Sequence, residues 1–414
     1  MRKMQVAAMA LLLALALCAC AAPVEVLPEE QMQTNFINNG DSSSIAELDG
    51  AYYVIGGNAC SYLCRLDPDT GRSVVVCNKP DCLHDRETDG RKVRDCNGFI
   101  QNTNYTLARH GDRLYAYVGA LTGGPTDEKN RIVEIMPDGT GQRTVLELDR
   151  FVTSWAVHRG YLYVAVTDFV TPGRTYAPED LTAVYRYRLQ DPLHTAETVY
   201  EVRGVYTQIQ DLQLSGEDLY FSEIRVIDES TLDTQRRILG VNTRKLESRV
   251  VCENSAGNFA LLPDGLATSV PLEDGSYRLV LLDRTGNTRL TWEHPAQASL
   301  NLFADAQYLY VDNQRETFLD ESGSIRRTLT VMDLNGKVLN QIPIEPDALP
   351  FKGASERYVF YISRIPEAYQ AHQGYVSYPL MVLKKDELLS ADAQGERFYI
   401  YTAETPFPGI VIEG

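Results

Sequence analysis

The sequence predicts an all-β protein, a seven-bladed β-propeller of four-stranded antiparallel blades. Three observations predict it: a recurring apolar-aromatic run after a Gly or Asp turn, a hairpin pattern behind each run, and little helical periodicity. The average spacing between runs is about 51 residues, the length of a kelch-type blade. The seven runs are centred on Tyr53, Tyr115, Tyr163, Tyr220, Ala267, Tyr310 and Phe360.

Residues 107–148 show the repeat most clearly. A short strand leads into the turn Gly111-Asp112, and residues 114–118 then alternate with the period of two that a strand requires. The next strand ends at Asp138-Gly139-Thr140-Gly141, whose glycines tolerate the positive φ of a tight hairpin. Such a four-stranded unit cannot bury both faces alone, so it must stack on its copies. Six or eight blades remain alternatives, because the fifth run lacks the Leu-Tyr pair and the seventh hairpin is long.

Long insertions are predicted between second and third strands, whereas the other turns within a blade are tight. In an antiparallel blade these loops leave from one rim, which makes that rim the expected binding face. The insertions are residues 119–130, 168–182, 223–237, 312–327 and 363–379. Candidate contact residues are Tyr176, Tyr369, His372, Tyr375 and Tyr378, since loop tyrosines stack on sugars or anchor peptides. Packing of these rings against the rim is the alternative.

The N-terminus is typical of a bacterial lipoprotein. Arg2 and Lys3 precede an apolar run, residues 6–17, that is too short to span a bilayer. The run ends in Leu17-Cys18-Ala19-Cys20, which resembles a lipobox, so residues 1–19 are predicted to be a signal peptide and Cys20 to carry palmitate-type acyl chains. An ordinary signal peptide is the alternative. The remaining boundaries are a tether at residues 20–40, the propeller at 41–405 and a tail at 406–414.

The charge balance argues against nucleic acid as a partner. The formal net charge is −17, and loss of Arg2 and Lys3 would make it −19. An acidic surface without a basic cluster repels nucleic acid and anionic lipid. The predicted membrane attachment therefore depends on the acyl chains, and the predicted location is extracytoplasmic, at the cell membrane.

One cysteine cluster could carry chemistry. Cys77, Cys82, His84 and Cys96 lie close together in the sequence, in the predicted link between blades 1 and 2, and Pro80-Asp81 would turn the chain between the first two cysteines. Three thiolates and an imidazole would complete a tetrahedral structural zinc site, but the spacing matches no standard zinc motif. Outside the cytoplasm disulfides are the favoured interpretation, with zinc as the alternative. No cofactor is certain, and a redox or catalytic role is disfavoured because the sequence lacks Cys-x-x-Cys.

These features carry a resemblance. The run VVVCNKPDCLHD with Asp95-Cys96-Asn97, behind the lipobox and a blade containing Tyr52-Tyr53, resembles predicted surface lipoproteins of gut Firmicutes. The repeats are similar to a bacterial propeller domain of unknown function related to the low-density-lipoprotein-receptor type. The resemblance implies a cell-surface β-propeller and no established activity.

The leading functional hypothesis is a non-catalytic, membrane-anchored binding module for a protein, peptide or glycan. Two alternatives remain: a propeller glycosidase or lyase with carboxylates at the central channel, and a scaffold of an envelope complex. The sequence contains no His-Glu-x-x-His, Gly-x-Ser-x-Gly, P-loop or dinucleotide motif. Turns such as Asp283-x-x-Gly286 and Asp333-x-x-Gly336 are interpreted as hairpin turns rather than calcium loops.

Overall fold

The protein is a ring of seven four-stranded antiparallel blades, as predicted, with one short helix among the described residues. In this computed structural model the described residues are 45–56, 61–67, 69, 72–84, 87, 89–100, 106–119, 129–168, 180–191, 195–204, 206–228, 230–231, 233–292, 300–312, 318–319, 325–344, 351–362 and 380–398. Within them, no helix is both long enough and apolar enough to cross a membrane. The lipoprotein and tail boundaries fall outside these residues and stay predictions.

Each blade takes its strands consecutively from the chain. Blade 1 contains β1 (Ile45–Leu48), β2 (Ala51–Gly56), β3 (Ser61–Asp67) and β4 (Arg72–Val75), with the short β5 (Phe99–Ile100) as a further partner of β3. Blade 2 contains β6 (Leu107–His110), β7 (Arg113–Val118), β8 (Asn130–Ile135) and β9 (Gln142–Leu148). Blade 3 contains β10 (Phe151–His158), β11 (Tyr161–Asp168), β12 (Leu181–Arg188) and β13 (Glu197–Arg203). Blade 4 contains β14 (Gln208–Ser215), β15 (Asp218–Asp228), β16 (Asp233–Asn242) and β17 (Glu247–Cys252).

The remaining three blades follow the same order. Blade 5 contains β18 (Ala256–Leu262), β19 (Gly265–Pro271), β20 (Tyr277–Asp283) and β21 (Thr288–Thr291). Blade 6 contains β22 (Asn301–Ala304), β23 (Leu309–Asp312), β25 (Ile325–Met332) and β26 (Val338–Ile344), and the very short β24 (Phe318–Leu319) pairs with the start of β25. Blade 7 contains β27 (Phe351–Ala354), β28 (Tyr358–Ile362), β29 (Leu380–Lys384) and β30 (Glu396–Phe398). All seven predicted runs form the second strand of a blade.

The core lies between the blades. Seven hydrophobic clusters are found among the described residues, and each joins two neighbouring blades. The cluster that closes the ring packs Tyr52 and Val54 of blade 1 against Tyr358, Phe360 and Val382 of blade 7. Because the strands of blades 1 and 7 are each contiguous in sequence, the described ends of the chain meet through side chains without exchanging a strand.

Polar side chains on the first strands also tie the blades together. Asn258 on β18 donates to the carbonyl of Leu302 at 2.6 Å and accepts from its N–H at 2.8 Å. Gln213 on β14 makes the matching pair of bonds to Phe259 and Leu261 on β18. Both side chains are buried, so each satisfies backbone groups that packing alone would leave without partners. Bulges interrupt β10, β14, β18 and β27, which adds local twist to these strands.

The two rims differ in part as predicted, with two corrections. The turns between third and fourth strands were expected to be tight, but β12 and β13 are joined through residues 189–196 and β29 and β30 through residues 385–395. The longest connection between a first and a second strand is residues 305–308, whereas second and third strands are joined through residues 119–129, 169–180, 313–324 and 363–379 in blades 2, 3, 6 and 7. The predicted loop at residues 223–237 was wrong: this stretch forms the ends of β15 and β16, joined by residues 229–232. Glu223 looked like a loop residue but is fully buried beside Arg237, at 2.8 Å, and Tyr200, at 2.6 Å.

Candidate functional site

The cysteine cluster lies on an insertion that splits the outer strand of blade 1. β4 and β5 both pair with β3, and Val76 and Gly98 continue that pairing through hydrogen bonds with the backbone of Leu63. The sequence placed this segment in the link between blades 1 and 2. In the structure the chain instead leaves the outer strand of blade 1 at residue 77 and returns to the same strand position after residue 97. Residues 77–97 therefore form an insertion that extends outward from the edge of the ring.

The four predicted side chains converge. The ligand atoms of Cys77, Cys82, His84 and Cys96 all lie within 4.8 Å of one another, and Cys96 Sγ is 3.8 Å from His84 Nδ1. None of the described cysteines forms a disulfide. Tetrahedral zinc with thiolate and imidazole ligands holds its donor atoms about 3.5–3.8 Å apart, so only a small contraction would bring the four groups onto one ion. The cluster could therefore hold a metal.

The local backbone conformation orients the side chains of the cluster. His84 has a φ of +54°, a left-handed conformation that is uncommon outside glycine. Its carbonyl accepts hydrogen bonds from the Tyr62 hydroxyl and from the Glu87 N–H, both at 3.2 Å, which hold it there. The helix α1 (Gly90–Arg94) begins at Asp89, whose carboxylate accepts from the N–H of Arg91 at 2.9 Å.

The exit from α1 places the last cysteine. The N–H of Cys96 donates to the carbonyl of Val93, whose side chain is buried in the core cluster between blades 7 and 1. Cys96 itself is only 2% exposed. The short helix thus carries the chain from the surface back to the core and fixes the Cys96 sulfur beside His84.

The thiols of the cluster differ in acidity. Burial opposes ionisation of Cys77, but hydrogen bonds from the N–H groups of Lys79 and Asn97, with those to the neighbouring thiols, outweigh it and lower its pKa. Burial raises the pKa of the Cys96 thiol, although the N–H of Gly98 donates to its sulfur. Two cysteines thus each accept a bond from the amide two residues ahead, which orients their sulfur atoms.

Hydrogen bonds join the insertion to blade 2. The N–H of Asn78 and the side-chain amide of Asn97 both donate to the carbonyl of Gly139, at 3.1 and 2.7 Å. Gly139 lies in the β8–β9 turn with a φ of +77°, and a Cβ there would lie 2.9 Å from the backbone of Cys77. Gln142 adds a bond to the carbonyl of Phe99 at 2.9 Å. Blades 1 and 2 are therefore joined through the cysteine segment.

The other predicted site residues are not among those that the structure describes. Cys20, Tyr176, Tyr369, His372, Tyr375 and Tyr378 lie outside the described residues, and their roles stay predictions. The Asp turns behave as hairpin turns: the carboxylate of Asp283 accepts from the N–H groups of Thr285 and Asn287, and that of Asp333 from Asn335 and Lys337.

A polar cleft that sequence reasoning missed lies on the tight-turn face, where the ring closes. Its volume is about 400 Å³, and turns of blades 6, 7 and 1 line it. Among the lining residues, Asp69 accepts from the Tyr358 hydroxyl at 2.7 Å and from Arg357 at 3.2 Å. The Tyr358 hydroxyl, followed by Arg357, holds the pKa of this exposed carboxyl below its usual range. The cleft brings together residues from opposite ends of the chain, so no sequence pattern could have indicated it.

Carboxylates are sparse on the described first strands, which surround the channel. They carry two, Glu47 on β1 and Asp211 on β14, in blades that are not neighbours. Asp211 is fully enclosed, with the Ser222 hydroxyl donating to it at 3.2 Å. Glu47 accepts from Tyr52 and from the N–H of Glu356, at 3.3 and 3.4 Å. A carboxylate pair like that of a glycosidase is therefore not supplied by these strands.

The fold and site define a class: a seven-bladed propeller whose first blade carries a Cys₃His cluster. A scan against known protein families found no match, and no curated protein matched either. Solved structures do match. The chain is similar to an acylaminoacyl peptidase with a TM-score of 0.53 and 9% identity, covering 89% of this chain and 52% of that one. It also resembles a prolyl endopeptidase, with a TM-score of 0.45 and 14% identity, covering 85% of this chain and 47% of that one.

A third match is the propeller domain of the trilobed protease from Pyrococcus furiosus, with a TM-score of 0.46, 10% identity and coverage of 89% and 98%. At 9% identity the acylaminoacyl peptidase match supports the β-propeller fold alone. The chain spans about half the length of the acylaminoacyl peptidase and of the prolyl endopeptidase.

Proposed function

We propose that the chain is a membrane-anchored, extracytoplasmic binding module that captures a polypeptide on its long-loop rim. The difference between the two rims carries the proposal. On one rim, four blades carry the long connections 119–129, 169–180, 313–324 and 363–379. On the other rim, first and second strands are joined by nothing longer than 305–308, and two longer connections, 189–196 and 385–395, join third and fourth strands. A rigid ring that displays loops from one side presents a composite surface, the usual arrangement of a binding scaffold.

The composition of these loops suits a polypeptide. Segment 363–379 contains Tyr369, Tyr375 and Tyr378 but only two charged residues, and segment 169–180 contributes Tyr176. Tyrosine offers a large contact area at a low entropic cost and a hydroxyl that binds backbone groups, which is why it dominates many protein interfaces. The matched propellers belong to peptidases, which is compatible with a propeller that binds polypeptides. Glycan binding by the same rings is the alternative.

The anchor is the second part of the proposal. The basic start, the short apolar run and Cys20 support lipidation, since several acyl chains on one cysteine bind a membrane stably. Cys20→Ala should move the protein from the membrane fraction to the soluble fraction after cell lysis, with Cys252→Ser as the matched control. Full retention of Cys20→Ala in the membrane fraction would contradict the anchor.

The binding role is tested by removing one loop. A variant in which a short Gly-containing turn replaces residues 363–379 should unfold as cooperatively as the wild type, because loop-closure entropy depends only weakly on length. It should lose at least tenfold in affinity for a partner that crosslinks to the wild type at the cell surface. A glycan recovered in place of a protein would overturn the polypeptide assignment, and unchanged affinity would move the site away from this loop.

The enzymatic alternative predicts a different experimental result, namely turnover of a substrate. A propeller glycosidase or lyase would require paired carboxylates at the channel, which the described first strands do not supply together. Turnover of a glycan library by the purified chain, abolished by Glu47→Gln, would favour that alternative over the binding module.

A further inference from the structure

We propose that Cys77, Cys82, His84 and Cys96 bind one zinc ion, which locks the blade 1 insertion against blade 2. The proposal does not depend on the binding function of the rim.

The convergence of four donors favours a metal over a disulfide. A disulfide would join two of the three sulfur atoms and leave the third, with the imidazole, unused. Here all four donor atoms lie within 4.8 Å of one another, and the His84 Nδ1 atom faces the Cys96 sulfur at 3.8 Å. That distance is close to the donor separation of a tetrahedral zinc site, about 3.6 Å for sulfur and nitrogen.

The surroundings of the cluster are those of a metal site. The backbone N–H groups of Lys79 and Asn97 donate to the Cys77 sulfur, and that of Gly98 donates to Cys96. Such bonds orient thiolates and offset part of their charge, as outer partners do around metal ligands generally. The left-handed backbone of His84, held by Tyr62, is local strain of the kind that persists where a site needs a particular geometry.

Ligand chemistry selects zinc. Three soft thiolates and one imidazole form a Cys₃His set, which is standard for structural zinc and unsuited to calcium or magnesium, since both prefer oxygen. Four protein ligands complete a tetrahedron and leave no open position for water. The site is therefore structural, without hydrolytic chemistry of its own.

The position of the cluster explains what the ion would stabilise. The described residues of segment 77–97 contain little regular structure beyond α1, yet they supply the Asn78 and Asn97 bonds to Gly139 of blade 2. A metal bound at both ends of the excursion, by Cys77 and Cys96, fixes the loop that makes those bonds. The ion thus ties together two neighbouring blades of a ring whose described ends meet without exchanging a strand.

Metal analysis of the full chain tests this. Purified protein should contain about one zinc per chain, and Co²⁺ substituted for zinc should show the intense visible absorption and thiolate charge transfer of a tetrahedral site. Cys96→Ser and His84→Ala should lower zinc affinity at least tenfold. His84→Cys should restore binding through a Cys₄ set, and Cys252→Ser, a thiol outside the cluster, should bind as the wild type does.

The structural role has its own readout. A chelator should speed hydrogen exchange at the Asn78 amide and lower the Tm of the wild type and of Cys252→Ser, but leave an already weakened Cys96→Ser unchanged. If a variant fails to fold, cobalt binding and chelation of the wild type still decide the matter. A metal-free wild type whose unreduced peptides show Cys77 bonded to Cys82 or Cys96 would overturn the proposal, and so would stoichiometric iron or copper in place of zinc.

Discussion

Replacement of Asp211 by Asn should stabilise the protein at neutral pH and flatten part of its pH dependence. Asp211 lies at the β14 bulge, fully enclosed, with a φ of +58° that Asn also tolerates. Its Oδ2 accepts from the Ser222 hydroxyl and is 3.8 Å from Arg236, but Oδ1 has no hydrogen-bond partner among the described groups. Burial raises the pKa of this carboxyl from 3.8 to about 6, against the opposing effects of Arg236 and Ser222.

The size of the effect follows from that shift. A rise of about two pKa units corresponds to roughly 3 kcal/mol at 1.36 kcal/mol per unit. Because the folded-state pKa of Asp211 exceeds the unfolded one, the proton stabilises the fold fully below pH 3.8. That contribution is lost as the pH rises through about 6. The amide of the Asp211→Asn variant is neutral at every pH, so the variant keeps this stabilising contribution throughout. For a propeller of this size, about 3 kcal/mol corresponds to a Tm difference of roughly 4 °C.

Urea unfolding of Asp211→Asn and the wild type from pH 4 to pH 8 measures this difference. The free energies of unfolding should be similar at pH 4 and diverge, with the variant more stable, between pH 4 and pH 6. Asp264→Asn, in the exposed β18–β19 turn, is the matched control. A variant less stable than the wild type at pH 8 would mean that the Arg236 interaction outweighs burial, which would refute the reasoning.

Three further substitutions test the contacts between blades. Gly139→Ala places a Cβ 2.9 Å from the Cys77 backbone at a φ of +77°, so it should cost about 1–3 kcal/mol in urea unfolding, whereas Gly141→Ala, with open space around its Cβ, should cost less. Asn258→Ala leaves the N–H and carbonyl of Leu302 without their buried partner and should lower the free energy of unfolding by about 2–4 kcal/mol. A loss below about 0.5 kcal/mol would show that the Asn258 bonds do not stabilise the contact between blades. Lys385→Met removes the cation 2.5 Å from the buried Asp305 carboxylate, which keeps its hydrogen bonds from Gln307, Tyr308 and Tyr310, and should cost about 1–3 kcal/mol. Adding Asp305→Asn should recover most of that loss, and no recovery would show that the charge pair is not the cause.

Much of the fold could be predicted because each blade repeats one local pattern. The second strands centred on Tyr53 to Phe360 are apolar runs bounded by turns, and such runs are read without knowledge of their neighbours. Blade 4 shows where this fails. Glu223 and Arg225 read as loop residues, yet the Glu223 carboxylate is buried with Arg237 and Tyr200, a compensation that only tertiary structure supplies.

The candidate site was predicted in its members but not in its setting. Cys77, Cys82, His84 and Cys96 stand out in the sequence because sulfur and imidazole cluster there. The return of the chain to β3 at β5 depends on the pairing of Ser61 with Ile100 across the whole insertion, which no local pattern encodes. The ring-closure cleft around Asp69 and Tyr358 depends on a still longer separation, and sequence reasoning missed it entirely.

The central claim, that the long-loop rim is the binding face, is tested most directly by obstructing one rim at a time. Ile227 and Leu246 both lie in blade 4 with exposed side chains, Ile227 beside the turn that joins β15 to β16 and Leu246 in the turn between β16 and β17 on the opposite face. An azide-bearing residue at either position, coupled to a polyethylene glycol chain, would block one face and spare the other. The chain at position 227 should abolish capture of the crosslinked partner and the chain at position 246 should leave it intact. Loss of capture only at position 246 would place the binding face on the tight-turn side and contradict the account.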